Sequence, residues 1–286
     1  MTKLLSAEIR KCFSGVLFWL ISLFAVVMAL SFNIIQYITK RNEKVEVYND
    51  SVLYIGLTIV PILAAIFTAY FVGTEFAEGT IRNKIITGYT KTEIYICELI
   101  VCETAMIIIQ YLFFISIFVF SNMFFGAFHH PFSLMIKLQL LGTLGVIEMT
   151  SLILAVSMIS MNKAMSIVVC MGLAAALFVI GLIITEMINE HYNELIDLGE
   201  DAITKEQYDT LMAHSYVYGV DTEHFKGGKL LRCEFFYDFL PQCQTSRYIY
   251  ERSVPYHWQD FVLYDAVTTI ATTFVGVFLF RRTKLK

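Results

Sequence analysis

Two glutamates stand inside apolar runs long enough to cross a bilayer. Glu103 lies nine residues into the run 94–120, and Glu148 lies eleven residues from the end of the run 134–159. At the helical rise these offsets are ~13 Å and ~16 Å. Ionised carboxylates at that depth are costly, so both are expected to be neutral acids facing protein rather than lipid. Two readings stay open for them: a polar lining to a pathway or a shared proton on one side, and neutral acids hydrogen-bonded to Ser, Thr or backbone on the other. Thr268, Thr269, Thr272 and Thr273 form a stripe on the last apolar run. Such a stripe glues helices together or lines a path. Cys233 and Cys243 lie outside the runs, and a disulfide between them would be worth up to ~3 kcal/mol. The other four cysteines, Cys12, Cys97, Cys102 and Cys170, sit in or beside apolar runs as small apolar residues.

The segment 73–88 carries a different pattern, Gly-Thr-Glu-Phe-Ala-Glu-Gly-Thr-Ile-Arg-Asn-Lys-Ile-Ile-Thr-Gly. Thr74 reads as an N-cap, with Glu75 and Glu78 on the first turn where they complement the helix dipole. Arg82 and Lys84 fall in the last turn, Gly88 reads as a C-cap, and Ile81 and Ile85 give an apolar edge. A rigid charged helix between two apolar runs is either a solvated loop or an element shown to a partner.

Composition sets the class that must position these residues. The chain is 57% hydrophobic and 16% charged, where soluble domains carry about a quarter charged residues. A helical span needs about 20 apolar residues, and backbone in hydrocarbon must be helical. Six such runs are present, at 15–38, 52–72, 94–120, 134–159, 165–187 and 263–280. The first is too long for a cleaved signal peptide and follows an amphipathic basic helix. In that helix Leu4, Leu5 and Ile9 are expected on lipid, with Lys3, Arg10 and Lys11 toward headgroups. The expected fold is an all-α polytopic membrane protein. Its parts are a membrane region over 1–187, an outer domain over 188–262, and a sixth span with a basic tail over 263–286.

Lys and Arg near the span ends favour cytoplasmic termini, with Lys3, Arg10, Lys11, Arg82, Lys84, Lys91, Lys163 and the 281–286 tail on one side. Glu98 is then close enough to that side to reach headgroups. The outer domain is acidic in its first third. Thr204 to Gln207 reads as a capping box, with short helices expected around a turn at Gly199 and a second turn at Gly227-Gly228. Its aromatic part, from Glu234 to Tyr250, is expected to dip back toward the bilayer. No phosphate-cradling loop, H-E-x-x-H, G-x-S-x-G or Asp-rich metal motif occurs. The chain is therefore expected to be no enzyme, to hold no catalytic, cofactor or metal residue, and to bind no nucleic acid.

The order of parts resembles permease subunits of ABC-2 type transporters, mostly bacterial exporters of peptides, antibiotics or lipids. The run Leu4-Leu5-Ser6-Ala7-Glu8-Ile9-Arg10-Lys11 before Phe18-Trp19 is similar to that family's elbow helix, here 2–13. The run Glu75-Phe76-x-x-Gly79-Thr80-Ile81-Arg82-Asn83-Lys84 is similar to its coupling helix, here 74–88. Phe239-Leu240-Pro241 and the ending Phe280-Arg281-Arg282 also fit. Glu98, where the family leads one to expect a basic residue, and Thr283 depart from the pattern, as does an insertion over about 190–232. The resemblance implies that Glu75, Phe76, Glu78, Gly79, Thr80, Arg82 and Lys84 couple to an ATPase. It implies two separate ATPase subunits carrying ATP and Mg, a second permease subunit, identical or not, and a plasma-membrane location. A translocation path would then involve Glu103, Glu148, Thr268 and Thr272.

Two other classes compete: a proton-coupled secondary transporter using Glu103 and Glu148, and a membrane peptide sensor or immunity protein. A secondary transporter would be expected to show inverted repeats, and no such repeat is visible.

Overall fold

In a computed structural model the chain is a helical membrane protein. The structure describes residues 1–43, 53–126, 128, 130–198, 229–251, 254–255 and 258–283. The helices expected around Gly199, the Thr204 box and the Gly227-Gly228 turn lie outside these. Among the described residues there are ten helices and no strand. They are α1 (Thr2–Ser14), α2 (Val16–Glu43), α3 (Ile55–Ala77), α4 (Thr80–Ile86), α5 (Lys91–Phe125), α6 (Phe132–Ser160), α7 (Lys163–Leu198), α8 (Lys229–Phe239), α9 (Pro241–Glu251) and α10 (Trp258–Arg282).

Six of them, α2, α3, α5, α6, α7 and α10, are long and apolar enough to span a membrane. Their number and order match the six apolar runs. Helices α3 and α6 are central, with 67% of the most apolar window of each buried, against 17% for α7 and 11% for α10. The core joins Phe67, Phe113, Leu138 and Leu154 from α3, α5 and α6. Helix α5, at 35 residues, is ~52 Å long, so it outruns a hydrocarbon layer of about 30 Å. At its start Thr90 and Glu93 form a capping box. Lys91 reaches the Arg281 carbonyl at 3.2 Å and binds the end of α10 to the same, basal end of the bundle.

The basal end departs from expectation in two ways. Helix α3 runs without interruption to Ala77, so Thr74 is helix interior and not an N-cap. The chain turns at Gly79, whose φ of 69° is the left-handed conformation glycine adopts without steric cost, and only then forms α4. Leu4, expected on lipid, is instead buried against Ile94 and Cys97 of α5. The buried line on α1 is Leu4, Glu8 and Cys12, one residue per turn, so the helix turns a mixed face inward.

At the far end the segment 229–251 folds back into the bundle as a helical hairpin. Helices α8 and α9 meet at Leu240-Pro241, and this tip is seated on Gly145 of α6 and Gly181 of α7. A Cβ at Gly181 would lie 2.9 Å from Gln242 Cβ, so only glycine admits the hairpin there. Arg247, almost fully buried, pairs with Asp238 at 2.7 Å and braces the two arms. Cys233 and Cys243 are both free thiols, which corrects the expected disulfide. Cys243 turns its Sγ toward the Gly181 carbonyl at 3.6 Å, and packing of the hairpin onto α7 takes the place of a covalent staple. Burial pushes the Cys243 thiol up to about 12 and raises that of Cys233. Both therefore stay protonated and poorly nucleophilic at neutral pH.

Labelling tests this seating. In a Cys233→Ser background, Cys243 should resist maleimide in the folded protein and label after denaturation. Gly181→Leu should cost about 1–3 kcal/mol by overpacking and make Cys243 label without denaturant, as read by peptide mapping.

Candidate functional site

Helices α1, α3, α4 and α5 meet at the basal end on one lysine. Helix α4 has seven residues, with Ile81 fully buried and Lys84 three positions later on the same face. The Lys84 Nζ lies 2.9 Å from Glu8 of α1 and 2.6 Å from Glu98 of α5, and it also bonds Glu75 of α3. The ammonium donates hydrogen bonds to Glu75 and Glu98, and Glu8 completes the set as an ion pair. Glu75 and Glu98 are wholly buried, Glu8 nearly so, and the Lys84 side chain is 10% exposed. Lys11 adds a second cation, bonding Glu75 and lying 3.8 Å from Glu78. Three buried carboxylates thus face two ammonium groups.

Burial by itself would drive the proton off Lys84. The carboxylates of Glu98, Glu75 and Glu8 outweigh it and hold the ammonium above its ordinary range. A cation favoured in the folded state contributes its full stabilisation below the ordinary lysine value, and loses it only as pH climbs through the raised one. The contribution is therefore complete at neutral pH. Carboxylate oxygens of Glu8, Glu75 and Glu98 come within 4.8 Å of one another, a donor set of the kind that divalent cations use. Lys84 already occupies the middle of that set, so the ammonium plays the part a metal ion would.

This geometry divides the residues expected to couple to a partner. Glu75 and Lys84 turn inward, and Phe76 packs edge-on to Phe280 of α10 with ring centroids 6.4 Å apart. Thr80 donates to the Glu75 carbonyl at 2.9 Å and closes the Gly79 turn. Glu78, Arg82, Asn83 and Ile86 face out, Ile86 being 73% exposed. A cleft of about 550 Å³ lies between the end of α3 and the turn from α6 to α7, lined by Phe76, Ala77, Met161, Asn162, Lys163 and Ala164 among others. Glu98, expected at headgroups, is instead sealed against Lys84.

The expected path residues lie deeper and apart. Glu103 is half-buried on α5, and neither it nor Glu148 acts on the other. The Glu148 carboxyl instead contacts Asp265 of α10. Ser151 and Thr272 hydroxyls meet at 2.7 Å, and Thr272 also donates to the Thr268 carbonyl at 2.8 Å. The described threonine contacts thus join α6 to α10. Sequence reasoning missed Glu8 and Asp265. Their signals were a carboxylate on the apolar line of α1 and a carboxylate two residues inside the last run.

The sequence matches no protein-family model and no curated protein.

Removing Lys84 should be severe. Lys84→Met leaves three buried carboxylates short of a cation, and an orphaned buried charge costs about 3–5 kcal/mol. Adding Glu98→Gln should recover part of that loss, with a coupling energy that a double-mutant cycle reads from thermal unfolding in detergent. A loss below about 1 kcal/mol would mean an ordinary surface pair.

Proposed function

We propose that the chain is the transmembrane permease subunit of an ATP-driven ABC exporter of a peptide, antibiotic or lipid-like substrate. Separate ATPase subunits, two per assembly and each with ATP and Mg, would dock on its basal end. A second permease would complete the transport path. The observation that carries this reading is the pairing of two faces on one short element. The inner face of α4 is fastened by Lys84 to α1, α3 and α5, and its outer face offers exposed Arg82, Asn83 and Ile86. An element tied to spans and open to solvent is suited to passing a push from a soluble motor to the membrane. Basic residues gather at this end, and on the positive-inside rule it is cytoplasmic in the plasma membrane, with both termini there.

The path itself is assigned to the side of α6 and α10 where Glu148, Thr268 and Thr272 lie, with Glu103 as a further polar point on α5. A proton-coupled carrier built on Glu103 and Glu148 finds less support, because the two carboxyls have different surroundings.

Affinity purification from native membranes tests the proposal. The wild-type chain should bring down an ATP-hydrolysing subunit. Arg82→Glu should lose it with normal expression and an unchanged melting temperature, since an exposed substitution typically costs under about 0.5 kcal/mol. Undiminished copurification of ATPase activity and unaltered export by Arg82→Glu would remove α4 as the docking element.

A further inference from the structure

Inside the bundle, Glu148 and Asp265 are 4% and 2% exposed, and the two carboxyls are close enough to act on each other. One oxygen of each, Glu148 Oε2 and Asp265 Oδ2, is buried without any donor. The other Asp265 oxygen, Oδ1, accepts from the Gln244 amide at 2.9 Å, and that amide also donates to the Asp238 carbonyl at 2.8 Å. Gln244 stands on α9, just past the hairpin tip, so the inserted hairpin reaches the pair directly.

The surroundings offer no neutralising cation. Among the described residues of α9, the Gln244 amide alone acts on the pair. From α8, Asp238 is engaged by Arg247 at 2.7 Å. From α5, Glu103 acts on Tyr95 and on neither member of the pair. Among the described residues of α3 and α7, no charged group acts on it. Among the described residues, no lysine, arginine or histidine acts on either carboxyl. Two adjacent carboxylates in a low-dielectric interior repel strongly, and each would keep one buried oxygen without a donor.

We infer that Glu148 and Asp265 form a proton-binding site within the membrane bundle, in which Glu148 carries the proton and donates it to Asp265. The assignment of roles follows from Gln244. Its N–H already marks Asp265 as the acceptor, and an ionised Asp265 takes one donor on each oxygen. One O–H bond on Glu148 supplies the donor that both orphan oxygens lack. On release the proton passes to water and leaves two facing anions, a state the hairpin must open to solvate. This site does not depend on the export reading.

Infrared spectroscopy of the protein in lipid bilayers tests it. At neutral pH the wild type should show a protonated-carboxyl band, shifted in D2O, that Glu148→Gln removes and Glu103→Gln leaves in place. The Glu148→Gln amide can take over as donor to Asp265, so its melting temperature should match the wild type at neutral pH. It should also lack the fall that the wild type shows as alkaline pH strips the proton. Identical protonated-carboxyl bands in wild type and Glu148→Gln would overturn the proposal. So would stabilisation by sodium chloride over choline chloride that Glu148→Gln abolishes, which would assign a metal cation instead. If Glu148→Gln does not fold, Asp265→Asn decides: a shared proton moves the Glu148 band in frequency, and a band that does not move contradicts the sharing.

Discussion

The position of the short basal helix depends on a single ammonium. A helix of seven residues has too few internal hydrogen bonds to persist by itself, so Thr80–Ile86 is where it is because Ile81 is buried and Lys84 is held. Apolar side chains of similar volume would stabilise the same contact at least as well as buried charge does. The ionic arrangement adds discreteness. Lys84 pairs with Glu8, Glu75 and Glu98 on three separate helices and donates hydrogen bonds to the last two, so no sliding of one helix past another keeps all three pairs. The element that faces solvent through Arg82 and Ile86 is therefore registered against α1, α3 and α5 together.

Helices α3 and α6 run from that hub toward the inserted hairpin. Helix α3 ends in Glu75 at the hub, and α6 carries Gly145, which seats Pro241, and Glu148, which meets Asp265. The least buried span, α10, is attached to this frame at both ends of its length. Lys91 holds its last carbonyls, and Gln244 and Glu148 engage Asp265 near its start. The polar contacts of a helix with little buried apolar surface thus fall at its two ends and along the Ser151–Thr272 seam.

The six spans were legible because hydrocarbon imposes length and apolarity on each helix independently of its neighbours. Relations between helices were less so. Glu98 reads as a charge within reach of a headgroup layer, and Glu8 only as one letter of an elbow-helix pattern, when their own helices alone are considered. Both are buried because Lys84, 76 and 14 residues away, supplies the cation. The Gly79 turn was visible as a glycine, but the continuity of α3 through Thr74 was not, since threonine is favoured as a cap over helix interior and tertiary packing overrode that local preference. Glu148 stood out in sequence and its partner did not. Antiparallel register placed it level with Glu103, and only side-chain direction separates that neighbour from Asp265.

The account rests on α4 being the surface that an ATPase engages, and a photo-crosslinker at Ile86 examines this most directly. Irradiation of native membranes should yield an adduct between this chain and a subunit that a radiolabelled azido-ATP also labels, and the adduct should weaken when Arg82→Glu is combined with it. An adduct with a protein that does not bind ATP, or none from Ile86 in membranes that export normally, would contradict the account.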